Sequence, residues 1–264
     1  MQVAYADVLV TGAASGIGAS IAREMASRSA RVTLVDMNRE GLDEIATEIE
    51  TAGGSARVEQ ADLSVVADVE ALATRVREAT GVPHIIVNNA GAGRFRAIDE
   101  TDPGEAGFMM AVPYLAAFEL TRAFIGDMIA RGTGRVACMT SLSGYTHIPG
   151  ANGYGVARWA MRAFASQLRE DLRGTGVGVT LIAPSEVESP YFVNNPGSRE
   201  RIPRAVKLLG GTITPQAVAR ATADAIERDR DEVIVPRQAE IFVKLTPRPI
   251  LNALVRRSGW RRQA

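Results

Sequence analysis

Short β-branched runs alternate with longer segments of helical period along nearly the whole chain, and this alternation limits the fold more than any other feature. Strands are predicted over residues 8–11, 32–35, 57–60, 85–88, 134–139, 177–182 and 233–235, each β-branched or bounded by turn residues. Helices are predicted over 18–29, 39–52, 65–79, 104–131, 153–173 and 215–227, with Asn38, Ser64 and Thr214 placed as N-caps. Strands separated by helices pair in parallel, and right-handed crossovers then place the helices on both faces. The expected class is α/β, a doubly wound parallel sheet of about seven strands. No long polar linker, repeat or low-complexity tract interrupts the rhythm. Residues 1–236 therefore read as one domain, and 237–264 as a basic amphipathic extension rather than a second domain.

Thirty basic and thirty acidic residues cancel, so no positive excess invites nucleic acid. Cys138 is the only cysteine, which excludes an intramolecular disulfide and a multi-thiolate site, and no metal is expected. The N-terminal MQVAYADVLVTG carries no basic segment, and no window holds an uninterrupted apolar run of bilayer-spanning length. The expected location is cytoplasmic.

The segment TGAASGIG, Thr11 to Gly18, lies directly between the first strand and the first helix. Glycines there allow positive φ and close backbone approach, and the helix N-terminus offers unpaired amides to a pyrophosphate. The spacing of Gly12, Gly16 and Gly18 differs from the familiar G-x-G-x-x-G fingerprint, and a purely structural turn is the competing reading. Asp36, at the end of the second strand, tips the balance. A carboxylate there accepts hydrogen bonds from an adenosine ribose diol and repels a 2′-phosphate, so NAD is favoured over NADP. Arg39 nearby speaks for NADP, and the bland reading of Asp36 is a strand-end turn residue.

Further motifs follow in order: Asp62 and Leu63 in ADLS, Asn88-Asn89-Ala90-Gly91, Ser141 thirteen residues before Tyr154, and Pro184 to Pro190 reading PSEVESP. With them the chain resembles the classical short-chain dehydrogenases/reductases over roughly residues 5–235, with a Rossmann-like fold. The resemblance implies that Gly12, Ser15, Gly16, Ile17 and Gly18 hold the cofactor phosphates. It places Asp62 and Leu63 at the adenine, Asn89, Ala90 and Gly91 beside the ribose, and Pro184 and Val187 at the nicotinamide. It further implies hydride transfer between a secondary alcohol and a ketone. Tyr154 is then the acid/base, preferred over Tyr145 and Tyr114, and Ser141 hydrogen-bonds the reacting oxygen, with Ser143 a weaker substitute. A phenol titrates near 10, so a neighbouring cation is needed to favour phenolate at neutral pH. The family places a lysine four residues after the tyrosine for that purpose.

Three positions depart from the pattern. Arg158 stands in place of that lysine; it keeps the charge, yet it cannot shuttle a proton and its planar fork is bulkier. Only Lys207 and Lys244 are lysines, so the exchange fits an arginine-rich composition. Pro113 stands where the family has a catalytic asparagine; proline still kinks a helix and keeps its carbonyl for a water of the proton relay. Ser185 replaces the glycine expected after Pro184. Two functions thus compete: an active NAD-dependent oxidoreductase, and a nucleotide-binding protein with impaired or altered chemistry.

Asn88 is expected to satisfy backbone groups between strands, His84 to be structural, and His147 to be a loop residue beside the site. Residues 185–213 read as a long loop mixing apolar side chains with Arg199, Arg201 and Arg204, expected to be a lid over an apolar alcohol or ketone. An anionic handle on that substrate is one reading of the arginines, and simple solvation is the preferred one. For the tail three readings compete: packing on a neighbouring subunit, covering its own pocket, and peripheral membrane contact. Subunit packing ranks first, because the family commonly forms homodimers or homotetramers through its two long helices.

Overall fold

The computed structural model describes residues 1–261. In chain order it comprises β1 (Asp7–Thr11), α1 (Gly16–Ser27), β2 (Arg31–Asp36), α2 (Arg39–Thr51), β3 (Ser55–Gln60), α3 (Val66–Thr80) and β4 (Ile85–Asn88). Then follow α4 (Glu105–Met110), α5 (Ala116–Arg131), β5 (Gly134–Met139), α6 (Asn152–Asp171), β6 (Val177–Pro184), β7 (Glu186–Val187) and α7 (Tyr191–Asn194). The chain continues through α8 (Arg204–Gly210), β8 (Thr212–Ile213), α9 (Pro215–Glu227), β9 (Glu232–Val235), α10 (Arg237–Leu245) and α11 (Arg248–Ser258).

Seven strands form one parallel sheet in the order β3-β2-β1-β4-β5-β6-β9. The strand order reverses between β1 and β4, and at such a switch point a crevice opens beyond the carboxyl ends of the strands. One face is covered by α1, α2 and α9, through Ile21, Met25, Leu42 and Ile226. The other face is covered by α3, α5 and α6, through Leu72, Leu120, Phe124 and Met161. Each such side chain is withdrawn from water, worth about 1.5–3 kcal/mol apiece, so both faces of the Rossmann-like sheet are firmly held.

Asn38 and Thr214 cap as expected, accepting the Gly41 and Ala217 amides at 3.2 Å. Ser64 does not. Val65 occupies the cap position of α3, and the Ser64 hydroxyl instead donates to Asp62 Oδ1 at 2.7 Å. The single helix expected over 104–131 is broken by a wide π-turn at Ala111–Leu115. Pro113 has no amide hydrogen to offer the carbonyl one turn back, so the α-helical ladder cannot continue there.

The expected loop at 185–213 is also more ordered than predicted. It holds α7, α8 and the β7–β8 pair, all too short for hydrophobic period to betray them. The tail forms α10 and α11, which bury Ala239, Leu251 and Val255 against this chain's own Ile202 and Val206. Of the three readings of the tail, the intramolecular one describes these buried residues.

Candidate active site

The carboxyl end of β1 enters the glycine turn with Gly12 at φ +66° and Gly16 at φ +56°. A Cβ on Gly18 would overlap the Gly12 carbonyl oxygen, so the turn closes this tightly onto α1 only without a side chain there. The buried Thr11 hydroxyl accepts the Asn89 and Ala90 amides at 3.0 Å each and donates to the Val87 carbonyl at 3.3 Å. Asn89 Nδ2 donates to the Thr11 carbonyl at 2.9 Å. The brace between β1 and β4 is therefore Asn89, not Asn88 as expected. Asn88 Nδ2 reaches Thr121 Oγ1 at 3.2 Å, and its buried Oδ1 has no partner among the described residues.

Ser15 occupies the N-cap position of α1 without making a side-chain cap bond, and the first turn carries no acidic residue. The amides of that turn are thus left for an anion in the crevice. Asp36 ends β2 with one carboxylate oxygen accepting the Asn38 amide at 3.0 Å and the other the Ala14 amide at 3.3 Å. Arg39 is turned away, held to Asp43 at 2.9 Å. Further along the wall, Asp62 accepts both the hydroxyl and the amide of Ser64, which holds its carboxyl below the usual range.

At the opposite end Ser141 follows β5 and accepts the Ser143 amide at 3.3 Å. Ser143 is buried away from the cleft with its hydroxyl unpartnered, and His147 stacks on Trp159 with ring centroids 5.6 Å apart, outside the cleft. His84 accepts the Asp7 amide at 3.1 Å, a structural role. Tyr154 and Arg158 lie one turn apart on α6, both nearly excluded from solvent. The Arg158 guanidinium carbon sits 4.9 Å from the centroid of the Tyr154 ring. Its Nη1 donates to the Met139 carbonyl at 3.4 Å, and its buried Nε has no partner among the described residues. Gly91 makes room for the cation, since a Cβ there would come within 2.5 Å of Nη2.

A cleft of about 410 Å³ joins these two ends. Gly12, Ser15, Gly16, Ile17, Gly18, Asp36, Asp62 and Leu63 line its phosphate and adenosine side, and Asn89, Ala90 and Gly91 its middle. Ser141, Tyr154, Arg158, Pro184 and Val187 line its far end. Of the predicted site residues only Pro113 stands outside, bounding a small void with Asn88, Leu63 and Val112 behind the cleft wall.

Several lining residues escaped the sequence reading. Tyr191 covers Tyr154 with ring centroids 6.1 Å apart, and its hydroxyl donates to the Gly93 carbonyl at 2.7 Å. Burial, and then the neighbouring Tyr154, push its phenol well above the ordinary range, so it stays a donor. Phe95 packs 4.8 Å from the Tyr154 ring. Buried Glu186 lines the cleft and accepts from Arg199 at 2.8 Å, so this arginine is a tether rather than a solvated charge. Its PSEVESP context was visible, but nothing in spacing paired it with Arg199.

A family model described as short chain dehydrogenase matches residues 6–199. The chain belongs to that family. As a short-chain dehydrogenase it is 29% identical to Ketoacyl reductase HetN of Nostoc sp., over 86% of this chain and 77% of the relative. It is 27% identical to Estradiol 17-beta-dehydrogenase 11 of Mus musculus, over 97% of this chain and 85% of the relative. Among solved structures, a metagenomic short-chain oxidoreductase in complex with NADP shares 31% identity with a TM-score of 0.74, over 89% of this chain and 98% of that one. A Burkholderia phymatum short-chain dehydrogenase/reductase in complex with NAD superposes with a TM-score of 0.83 at 23% identity, over 100% of this chain and 99% of that one, and speaks for the fold.

Proposed function

We propose that this short-chain dehydrogenase is an NAD-preferring oxidoreductase that interconverts a secondary alcohol and a ketone. The observation that carries the reading is the single cleft that brings the glycine turn and Asp36 into line with Ser141, Tyr154 and Arg158. The donor set fits the dinucleotide: uncapped α1 amides for the phosphates, and Asp36 for the adenosine ribose. The turning of Arg39 to Asp43 supports NAD over NADP, because no cation then stands beside Asp36 to pair a 2′-phosphate.

The dinucleotide, when bound, takes or supplies the hydride. Tyr154 takes the hydroxyl proton of the alcohol, or returns it to the ketone oxygen, while the Ser141 hydroxyl donates to the same oxygen as charge develops. The Arg158 guanidinium lies over the Tyr154 ring face, a positive charge beside the group that moves the proton. Phe95, Tyr191, Phe192 and Ile202 give the reacting end apolar walls suited to an uncharged carbon skeleton. Leu115 just before α5, Phe118 on α5 and Val156 on α6 remain exposed and support assembly as a homodimer or homotetramer through those helices.

The placement of the guanidinium favours a second reading as well. Wedged between the Tyr154 ring and Gly91, it takes space that a slender ammonium would leave open, which supports dinucleotide binding with weak or altered turnover. Measuring NAD binding by fluorescence, beside NADH formation across a broad panel of secondary alcohols, separates the two. NADH formation that disappears in Tyr154→Phe, by about a thousandfold with NAD affinity kept, is the expected result. Binding without turnover across the panel would establish the second reading.

A further inference from the structure

Residues 200–260 lie beyond the stretch matched by the family, and they build a second cavity of about 370 Å³ beside the main cleft. Its wall combines Arg204 and Lys207 on α8 with Arg257 on α11, closed by Trp260, and Glu200 is the one carboxylate in it. The neighbouring arginines are occupied: Arg199 pairs with Glu186, and Arg201 pairs with Glu100 and lies 4.6 Å from the Trp260 ring centroid. Arg204, Lys207 and Arg257, by contrast, make no ion pair among the described residues. Three cations lining one concave surface against a single carboxylate attract an anion more strongly than the same charges scattered over a convex one.

The cavity adjoins the reacting end, with Ile202 as the wall between them. Ile202, itself buried, lines both this cavity and the main cleft, and Val206 on α8 lines the cleft one residue before Lys207. Helix α8 thus turns an apolar side toward Tyr154's cleft and a basic side toward the second cavity. It is held there by the C-terminal segment, where the Ser258 hydroxyl accepts the Ala205 amide at 3.1 Å.

We propose that this cavity binds the oxyanion of an amphiphilic substrate, a carboxylate or phosphate monoester on an apolar chain, whose uncharged part passes Ile202 into the main cleft. The proposal rests on the main cleft being the alcohol or ketone site. Each cation placed within contact of the anion at a partly solvated surface contributes about fivefold in affinity, so three give tenfold or more after losses to screening.

The test is calorimetric binding to the NAD-loaded protein of medium- and long-chain oxo acids, their methyl esters, and alkyl phosphates of matched length. The acid is expected to bind at least tenfold more tightly than its ester at low salt, with the preference falling steeply as salt rises. Arg204→Gln combined with Arg257→Gln should cut the preference for acid over ester at least about fivefold, leaving the share of Lys207, and Arg204→Gln combined with Arg257→Lys should regain part of it. The relative affinity of acid and phosphate tells which oxyanion the site prefers. Equal binding of acid and ester by the parent protein, or an acid preference unchanged in the double variant, would overturn the proposal. Because binding is read without hydride transfer, a chain that binds dinucleotide but turns nothing over would refute the redox reading and leave this result standing or falling alone.

Discussion

The two ends of the cleft are held by different means. At the phosphate end the fixed points are backbone groups held by the Gly12 turn and two short side chains: the Thr11 hydroxyl bonded to the Asn89 and Ala90 amides and the Val87 carbonyl, and Asn89 Nδ2 bonded back to the Thr11 carbonyl. At the substrate end the fixed points are long side chains reaching across the fold, such as Arg199 to Glu186, Tyr191 to Gly93 and Arg201 to Glu100. A backbone-built site tolerates little change, and a site tied by side chains is adjustable. This separation allows a common cofactor cradle to serve a substrate wall particular to this chain.

Among the variants that probe this division, the largest expected effect falls where the two ends meet, at Arg158. Arg158→Met removes the cation over the phenol, and kcat should fall by at least about a hundredfold, whereas Arg158→Lys should retain or raise it, as read by steady-state rates across pH. Equal kcat in the methionine variant would break the comparison, since the junction would then carry no chemistry. At the cradle, Asp36→Ala should weaken NAD about tenfold, narrow the gap to NADP, and leave substrate KM unchanged, by fluorescence titration and initial rates. At the substrate end, Arg199→Ala leaves the buried Glu186 carboxylate without its cation. The expected outcome is a lower Tm and a higher substrate KM with an unchanged NAD affinity, by thermal unfolding and initial rates. A loss of NAD affinity in that variant would show that the two ends are mechanically one.

The same division explains what the sequence made legible. The sheet, the two layers of helices and the phosphate turn rest on local period and on glycines with a steric reason, so β1 through β6 and the cleft-lining motifs could be located before the fold was known. Asn88 and Asn89 could not be told apart, because adjacent residues on a strand end point opposite ways and only the register with Thr11 decides which one braces the turn. Ser64 looked like a cap by residue type, yet Asp62 two residues earlier competes for its hydroxyl. The segment between Pro184 and Thr214 stayed opaque for another reason. Its short helices take their stability from contacts with Phe95, Glu100 and the C-terminal helices, all distant in sequence.

The wide turn at Pro113 bears on how the cleft is walled. Restoring an ordinary α-helical turn there would require an amide hydrogen that proline does not have, so the long helix has no straight form to spring back to. The bend is therefore built into the chain, and it sets how Val112 and Phe108 face the cleft. The facing wall, from Tyr191 to Gly210, is tied instead by side chains, through Arg199 to Glu186 and Arg201 to Glu100.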